Sequence, residues 1–190
     1  KYRPEILSTT NMSNAGHTAV YYDDRKFIAK ALPSATALNR WTAHADGEGQ
    51  QDPQNRSAYE PKIVVGPTAA FDVEQLIKEA EYCELKESQL IIHPRAGVIT
   101  NRHKEIECDS SIGTKHIAST MQGCGAFLAE KIMRRPDLKL ARDYEELKQY
   151  TALKSAIPLW LSDFMLFGGT VLHEGSQGFS LDISHGSHYP

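Results

Sequence analysis

Apolar and polar residues are arranged along the chain as short strands that alternate with helices. Apolar runs predict buried strands at residues 5–7, 62–65, 89–93 and 170–173. Apolar residues at helical spacing, with prolines where helices begin or end, predict helices at residues 73–85, 126–135, 144–155 and 158–167. Because strands and helices alternate, we expect an α/β fold with a parallel or mixed central sheet and flanking helices.

Two polar stretches interrupt this pattern in the first third of the chain. Residues 18–22 and 26–29 predict a hairpin around Asp23 and Asp24. Residues 41–61 are hydrophilic and predict a surface insertion with little structure of its own and no functional role. The sequence contains no internal repeat or low-complexity tract, so we expect all 190 residues to belong to a single α/β domain.

The composition is that of a soluble globular domain. Hydrophobic residues make up 41% and charged residues 24% of the chain, and the formal net charge is −3. No stretch approaches the roughly 20 apolar residues of a membrane span, and the start of the chain lacks the apolar core of a signal peptide. We therefore expect a cytoplasmic protein without a membrane partner. Basic and acidic residues are interspersed, which argues against nucleic acid as the main partner.

The spacing of cysteines and histidines does not favour a zinc centre. Cys83, Cys108 and Cys124 form no CxxC pair, so we expect reduced thiols rather than disulfides or a structural zinc site. His185 and His188 have the i,i+3 spacing that suits two zinc ligands on a helix. The Gly-Ser pair between them argues against a helix, and zinc is not expected.

Three polar loops with glycine lie where a strand ends or a helix begins, the position at which open α/β sheets collect ligands. The first, residues 11–17, is called the NAGH loop. It offers the amide of Asn14, a backbone open to close approach at Gly16, and the imidazole of His17, which can transfer a proton near neutral pH. Taken alone, this loop is explained better as an ordinary turn before a hairpin.

The other two loops carry comparable groups. The glycine-rich loop, residues 119–125, supplies hydroxyls and backbone N–H groups at a helix N-terminus, where a phosphate is stabilised. A capped helix without a ligand explains it equally well. The EGSQG loop, residues 174–178, places a carboxylate and an amide beside two glycines after an apolar strand. Its alternative interpretation is a strained connection without a ligand.

Together the loops resemble motifs of the adenylosuccinate synthetase family. The family's NNAGHT loop is matched by residues 13–18 in all but its first position, and its leucine-proline turn by Leu32-Pro33. Its TTGxGxG segment corresponds to residues 119–125, ahead of a helix that ends near Arg134. Its EGAQG loop corresponds to residues 174–178. Four motifs in the right order make this resemblance specific, and it covers most of the chain outside the predicted insertion.

The resemblance implies a fold related to P-loop proteins, with a mixed, largely parallel sheet, and a ligase reaction in two steps. A nucleoside triphosphate, ATP or GTP, first phosphorylates the six-oxygen of a purine nucleoside monophosphate. The amine of L-aspartate then displaces the phosphate, so one difficult step becomes two easier ones. Mg²⁺ is the implied cofactor. The implied assembly is a homodimer in which Arg134 reaches into the neighbouring subunit's site.

The resemblance also implies roles for individual residues. His17 would act as general acid on the transferring phosphoryl group, Gln177 would lie near the six-oxygen, and the backbone carbonyl of Gly16 would bind Mg²⁺. The implied substrate-binding residues are Asn14, Ser119, Thr120, Arg134 and Leu181. Met121 stands where the family usually has glycine, so the phosphate contacts around it are expected to differ in detail.

In the family, a phosphate loop precedes the segment that begins here at Lys1, and further nucleotide and aspartate contacts follow the segment that ends here at Pro190. The resemblance therefore implies that the chain is a fragment of a longer synthetase. By itself it is expected to be inactive.

The choice of purine nucleotide depends on the branch of the family. Residues 11–18, 91–94 and 177–181 resemble phage members that use dGMP to make 2-aminoadenine nucleotides, a branch close to the short archaeal form. We therefore expect dGMP as the substrate, and the host cytoplasm as the location if a phage encodes the chain. The first alternative is a conventional synthetase that acts on IMP with GTP. The second is a nucleotide-binding regulatory protein without ligase activity.

Overall fold

The computed structural model describes residues 3–21, 24–43, 59–109, 120–151 and 157–178. Strands in this part of the chain are β1 (Ile6–Thr9), β2 (His17–Val20), β3 (Lys26–Ala29), β4 (Lys62–Val65), β5 (Ala70–Phe71), β6 (Leu90–Ile92), β7 (Gly97–Val98) and β8 (Val171–Glu174). Its α-helices are α1 (Ala37–Ala43), α2 (Val73–Tyr82), α3 (Asn101–Cys108), α4 (Cys124–Ile132) and α5 (Ile157–Leu166). None of the helices described is both long and apolar enough to cross a membrane.

Four strands form a parallel sheet in the order β6-β4-β1-β8, which confirms the predicted α/β fold. β1, β4 and β6 are buried almost throughout, as is typical of parallel strands covered on both faces. β8 lies at the edge of the sheet, and its Leu172 and His173 are exposed. Because the strands are parallel, their carboxyl ends lie along one edge of the sheet, at Thr9, Val65, Ile92 and Glu174.

Helices cover both faces of this sheet. On one face, Leu76 of α2 belongs to a buried cluster with the strand residues Leu7, Ile63 and Ile92. On the other face, Ile157 of α5 packs with Ile6, Val64 and Ile91. Complete burial of an aliphatic side chain of this size contributes about 1.5–3 kcal/mol. The alternation of strand residues between the two clusters holds the sheet in a single register.

The N-terminal boundary of α2 agrees with the sequence prediction, because Asp72 caps the helix. The Asp72 carboxylate accepts hydrogen bonds from the backbone N–H groups of Glu74 and Gln75, at 3.0 and 3.3 Å. The helix ends at Tyr82, earlier than predicted, because Glu84 takes a left-handed backbone conformation with a φ of 53°.

The predicted hairpin is confirmed as β2 and β3, which pair antiparallel with His17 opposite Ala29. Phe27 and Ala29 of β3 are buried, and the residues between them are exposed, as expected of a strand with one face on the core. The ring of Phe27 stacks on that of Tyr82 in α2, with centroids 5.1 Å apart. The hairpin is thereby held against α2, with His17 as its first residue.

One predicted helical stretch is 3₁₀ rather than α-helical where the structure describes it. The sequence predicts a helix at residues 144–155, whereas the structure has 3₁₀ helices at Ala141–Asp143 and Glu145–Thr151. Tyr144 between them has an extended backbone, with φ −104° and ψ 125°, and this interrupts helical hydrogen bonding. Residues 152–156 lie outside the described part of the chain.

The apolar pattern does not predict α3, β5 or β7. Buried positions of α3 include the polar residues His103 and Glu107, so the helix carries no apolar stripe. β5 and β7 have two residues each, too few to show an alternation. Residues 44–58 of the predicted insertion lie outside the described residues, whereas Trp41 and Tyr59, near its two ends, are buried in the domain rather than on the surface.

Gly123, immediately before α4, has both a left-handed backbone and no room for a side chain. Its φ is 84°, and an added Cβ would lie 2.9 Å from His103 Cβ and from Ile99 Cγ2. Gly123→Ala should therefore lower the free energy of unfolding by about 2–4 kcal/mol, from left-handed strain plus overpacking. Chemical denaturation measures this loss.

Gly168 provides the matched control, because its φ is 88° and an added Cβ would meet nothing within 4 Å. Gly168→Ala should cost only the backbone strain of about 1–2 kcal/mol. Equal losses in the two variants would show that the close approach of α3 to Gly123 has no energetic weight.

Candidate active site

Two of the three predicted loops meet at the carboxyl edge of the sheet. The register of β1 and β8 sets Thr9 opposite Glu174, so the NAGH loop after β1 lies beside the EGSQG loop that begins at the end of β8. The backbone N–H of Thr10 donates to the Glu174 carbonyl at 3.3 Å, and Ser176 Oγ donates to the Thr10 carbonyl at 2.8 Å. These bonds fix the EGSQG loop against the end of β1.

The carboxylate of Glu174 accepts hydrogen bonds from two different segments. Its Oε1 accepts from Asn11 Nδ2 at 2.8 Å. Both of its oxygens lie within hydrogen-bond distance of the Ser34 backbone N–H, at 3.1 and 3.0 Å, and Ser34 Oγ donates to Oε2. Asn11 Nδ2 also donates to the Leu32 carbonyl at 3.2 Å. Glu174 thus joins the NAGH loop to the turn that follows the hairpin.

His17 lies against the same carboxylate. Its Nδ1 is 3.1 Å from Glu174 Oε1, close enough for an ion pair when the ring is protonated. The two groups are not aligned as a hydrogen bond, and Nδ1 has no hydrogen-bond partner within the described residues. The imidazole remains 28% exposed, so a ligand at this edge of the sheet can reach it.

The NAGH loop contains several buried polar atoms that lack protein partners in the described part of the chain. They are Asn11 Oδ1, Ser13 Oγ and Asn14 Oδ1. Buried polar atoms in proteins nearly always have a hydrogen-bond partner, so a group of them in one loop is typical of a binding site. Gly16, between Asn14 and His17, is exposed and leaves the backbone open to a ligand.

Backbone contacts hold the NAGH loop in place. Ser13 N–H donates to the Ala70 carbonyl, and Ala70 N–H donates to the Asn11 carbonyl, each at 3.1 Å. Met12 of the same loop packs against the cluster that contains Cys124, the first residue of α4, and the backbones of Ser13 and Asn14 act on its thiol. Burial raises the pKa of this thiol to about 11, and the two backbones act in the opposite direction. The start of α4 is thereby set against the NAGH loop.

The N-terminus of α4 is not available for a phosphate in the way that the sequence predicts. The buried carboxylate of Glu107 accepts hydrogen bonds from the backbone N–H groups of Gly123, Gly125 and Ala126, at 2.8, 2.5 and 3.2 Å. A carboxylate from α3 therefore already stabilises the positive end of the helix dipole. The alternative of a capped helix is correct for these N–H groups.

The remaining residues of the glycine-rich loop follow this arrangement. Thr120 is exposed, and its carbonyl accepts from Gln122 Nε2 at 3.1 Å. Met121 has a left-handed backbone with a φ of 53°, a conformation that favours glycine and explains why glycine suits this position. Ser119 lies outside the described residues, as does Leu181.

Two further predicted residues are exposed. Gln177 follows the docked Ser176 in the EGSQG loop. Arg134 lies beyond the end of α4 with a left-handed φ of 53°, next to the exposed side chains of Ile132 and Met133. The structure therefore brings Asn14, Gly16 and His17 together with the EGSQG loop, and Arg134 lies at the far end of the helix that begins beside them.

The sequence places Asn11 and the carboxylate of Glu174 in candidate loops without indicating what they contact, and Ser34 and Glu107 carry no signal in it. Each of these residues acts through a contact with a distant segment. The one available signal was an acidic residue at the end of an apolar strand, where parallel sheets collect functional groups.

Removing the charge of Glu107 tests its contribution to the site. Glu107→Gln should lower the free energy of unfolding by about 1–3 kcal/mol, because buried backbone donors lose a charged acceptor. Glu105→Gln, an exposed position on the same helix, should change it by less than about 0.5 kcal/mol. Denaturant titrations compare the two variants, and equal effects would contradict the capping role.

Comparisons with known proteins agree with this geometry. No protein-family model matches the chain. The adenylosuccinate synthetase of Methanococcus aeolicus is 31% identical over 195 residues, which cover 100% of this chain and 49% of the relative. The N6-succino-2-amino-2'-deoxyadenylate synthase of Salmonella phage PMBT28 is 28% identical over 197 residues, which cover 97% of this chain and 48% of the relative.

Two solved structures share the fold. The succinoaminodeoxyadenylate synthetase of cyanophage S-2L, bound to dGMP and dATP, has a TM-score of 0.67 at 24% identity, over 98% of this chain and 47% of that one. The fully ligated adenylosuccinate synthetase of Plasmodium falciparum has a TM-score of 0.70 at 18% identity, over 98% of this chain and 49% of that one. The chain spans about half the length of the curated relatives it matches. Over its whole length the chain is homologous to about half of an adenylosuccinate synthetase, and it shares the fold of that part of two solved synthetases.

Proposed function

We propose that the whole protein is a purine-nucleotide:L-aspartate ligase, which uses a nucleoside triphosphate to activate the purine six-oxygen and then replaces it with the aspartate amine. The observation that carries this proposal is the position of His17 between the unpartnered acceptors of the NAGH loop and the carboxylate of Glu174. A proton donor beside buried groups that need a ligand suits phosphoryl transfer better than simple binding. The similarity to adenylosuccinate synthetases supports this reaction type.

In this mechanism, phosphorylation makes the six-oxygen of the purine part of a phosphate group. Phosphate leaves readily when the amine of aspartate attacks the ring carbon. His17 donates a hydrogen bond to the transferring phosphoryl group and acts as the general acid. Gln177 lies near the six-oxygen from the EGSQG loop. Asn14 and Thr120 hold the phosphate of the substrate nucleotide, with Ser119 and Leu181 as further contacts. The carboxylate of Glu107 occupies the backbone N–H groups at the N-terminus of α4. The hydroxyl of Thr120 therefore takes their place as the hydrogen-bond donor to this phosphate.

The NAGH loop also fits a magnesium ion. Among the described residues, the Oδ1 atoms of Asn11 and Asn14 are buried without a hydrogen-bond partner, and the exposed Gly16 adds a backbone carbonyl. Mg²⁺ prefers such oxygen ligands and takes most of its others from substrate phosphates and water. We assign the Gly16 carbonyl as the protein ligand. When bound, the ion would neutralise charge on the phosphates of ATP or GTP.

We favour dGMP as the purine nucleotide. Residues 11–18 and 177–181 resemble the phage members, a phage synthase matches almost the whole chain, and the cyanophage S-2L enzyme with the same fold was solved with dGMP and dATP. The conventional alternative is IMP with GTP, since the archaeal relatives are named adenylosuccinate synthetases. A regulatory protein that only binds nucleotides is the other class of function, and it has no use for His17 as a proton donor.

Aspartate-dependent phosphate release by the whole protein tests the reaction and the substrate. Release should be faster with dGMP than with IMP, and His17→Ala should reduce turnover roughly 10²-fold or more, the scale of a lost general acid. Val20→Ala, an exposed position on the same strand, is the control and should retain wild-type turnover. A preference for IMP would overturn the substrate assignment. No release with either nucleotide would overturn the ligase.

The proposed assembly is a homodimer in which Arg134 contacts the phosphate of the nucleotide in the neighbouring subunit. Arg134 is exposed, and the adjacent Ile132 and Met133 are 78% and 65% exposed, an apolar pair suited to a subunit contact. The planar guanidinium binds phosphate oxygens in pairs, which suits an arginine that completes a partner's site.

Mixing two inactive variants tests this assembly. Arg134→Leu and His17→Ala subunits should form hybrid dimers with one intact site, so that roughly a quarter of wild-type activity returns after random exchange. The matched control is Arg135→Leu, which changes the neighbouring exposed arginine and should be active by itself. Absence of recovery after confirmed subunit exchange would show that Arg134 acts within its own subunit or has no role.

A further inference from the structure

We propose that Glu174 is a positioning residue, which holds the ring of His17 from the Nδ1 side so that Nε2 faces the substrate. This inference rests on the proposed function, because it assigns to Glu174 a part in the chemistry of His17. It concerns the carboxylate of the EGSQG loop, whose amide, Gln177, is the group assigned to the substrate.

The two oxygens of Glu174 share the Ser34 backbone N–H, at 3.1 and 3.0 Å, and otherwise have different partners. Oε2 accepts from the backbone N–H and the hydroxyl of Ser34. Oε1 accepts from Asn11 Nδ2 at 2.8 Å and lies 3.1 Å from His17 Nδ1. The hydrogen bonds from Ser34 and Asn11 prevent the carboxylate from rotating, so the position of Oε1 beside the imidazole is fixed.

The backbone of Glu174 is fixed as well. Its carbonyl accepts from the Thr10 N–H at 3.3 Å and from Thr9 Oγ1 at 3.2 Å. The parallel pairing of β1 and β8 therefore determines where the side chain starts. Glu174 is one fixed point, and the hairpin that carries His17 is held separately by the stacking of Phe27 on Tyr82. The distance between the Glu174 carboxylate and the His17 ring is therefore set by two tertiary contacts, the pairing of β1 with β8 and the packing of the hairpin on α2.

A carboxylate at one ring nitrogen determines the tautomer and the orientation of a histidine. Within the described residues, Glu174 is the carboxylate within 4.0 Å of the His17 ring. Because Nδ1 lies 3.1 Å from Glu174 Oε1, Nε2 is the nitrogen left to exchange a proton with a phosphoryl oxygen. The imperfect alignment of Nδ1 and Oε1 is common in sites without substrate, where such bonds tighten on binding.

Three variants of the whole protein test the proposal. Glu174→Gln removes the charge and should lower kcat roughly 10²-fold while the KM for the nucleotide changes less than about threefold. Glu174→Asp keeps the charge and should retain at least about tenfold more activity than Glu174→Gln. Because Glu174 acts through His17, adding Glu174→Gln to His17→Ala should cause almost no further loss.

A spectroscopic readout separates this proposal from the proposed function. The ring ¹⁵N chemical shifts of His17, assigned by the signals missing in His17→Ala, should change in Glu174→Gln because the tautomer balance changes. If His17→Ala is inactive but Glu174→Gln has normal turnover and unchanged ring shifts, the role of Glu174 is overturned and the ligase stands. If His17→Ala is fully active, the proposed mechanism fails instead.

Glu174→Asp keeps the proposal testable if Glu174→Gln does not fold. If Glu174→Gln does not fold, Glu174→Asp is measured against wild type: a lower kcat with altered His17 ring shifts supports the proposal. Additive losses in the double variant, or equal losses in the Asp and Gln variants with unchanged ring shifts, would show a purely structural role and overturn it.

Discussion

The carboxylate of Glu174 joins segments that are remote in sequence, and the geometry of the candidate site depends on it. It contacts Asn11 after β1, Ser34 after the hairpin and the ring of His17. Hydrogen bonds to a charged group contribute about 1.5–3 kcal/mol each, and they offset the cost of partly burying the carboxylate. The arrangement requires β8 to pair in parallel with β1, since only that register sets Glu174 beside the end of β1.

Buried carboxylates organise the other loops in the same way. Glu79 of α2 accepts hydrogen bonds from the backbone N–H groups of Lys30, Ala31 and Leu32, which shapes the turn that leads to Ser34. Glu107 of α3 does the same for the start of α4. Each places one negative charge where several backbone donors would otherwise be buried without partners. Loops that collect polar groups for a ligand are thus held by charges from the helices behind them.

This construction explains how the site combines rigid and open parts. The backbones of the NAGH and EGSQG loops are fixed by the sheet, by Ala70 and by the contact with Cys124. The acceptors Asn11 Oδ1, Ser13 Oγ and Asn14 Oδ1 and the ring of His17 keep unfilled bonding capacity. A site that is prepared before the ligand binds loses less conformational entropy on binding, which suits the positioning required for phosphoryl transfer.

The sequence by itself determined the strands of the sheet, the hairpin and the order of the three loops, because alternation and glycine-bearing motifs are local properties of the chain. Those motifs also indicated the resemblance to adenylosuccinate synthetases and made His17 a candidate. The tertiary structure alone decided that Glu107 fills the N-terminus of α4, that α3 buries polar residues, and that Glu174 meets His17. These features depend on contacts between residues far apart along the chain, and a polar residue that is buried by such a contact has no periodicity by which the sequence could reveal it.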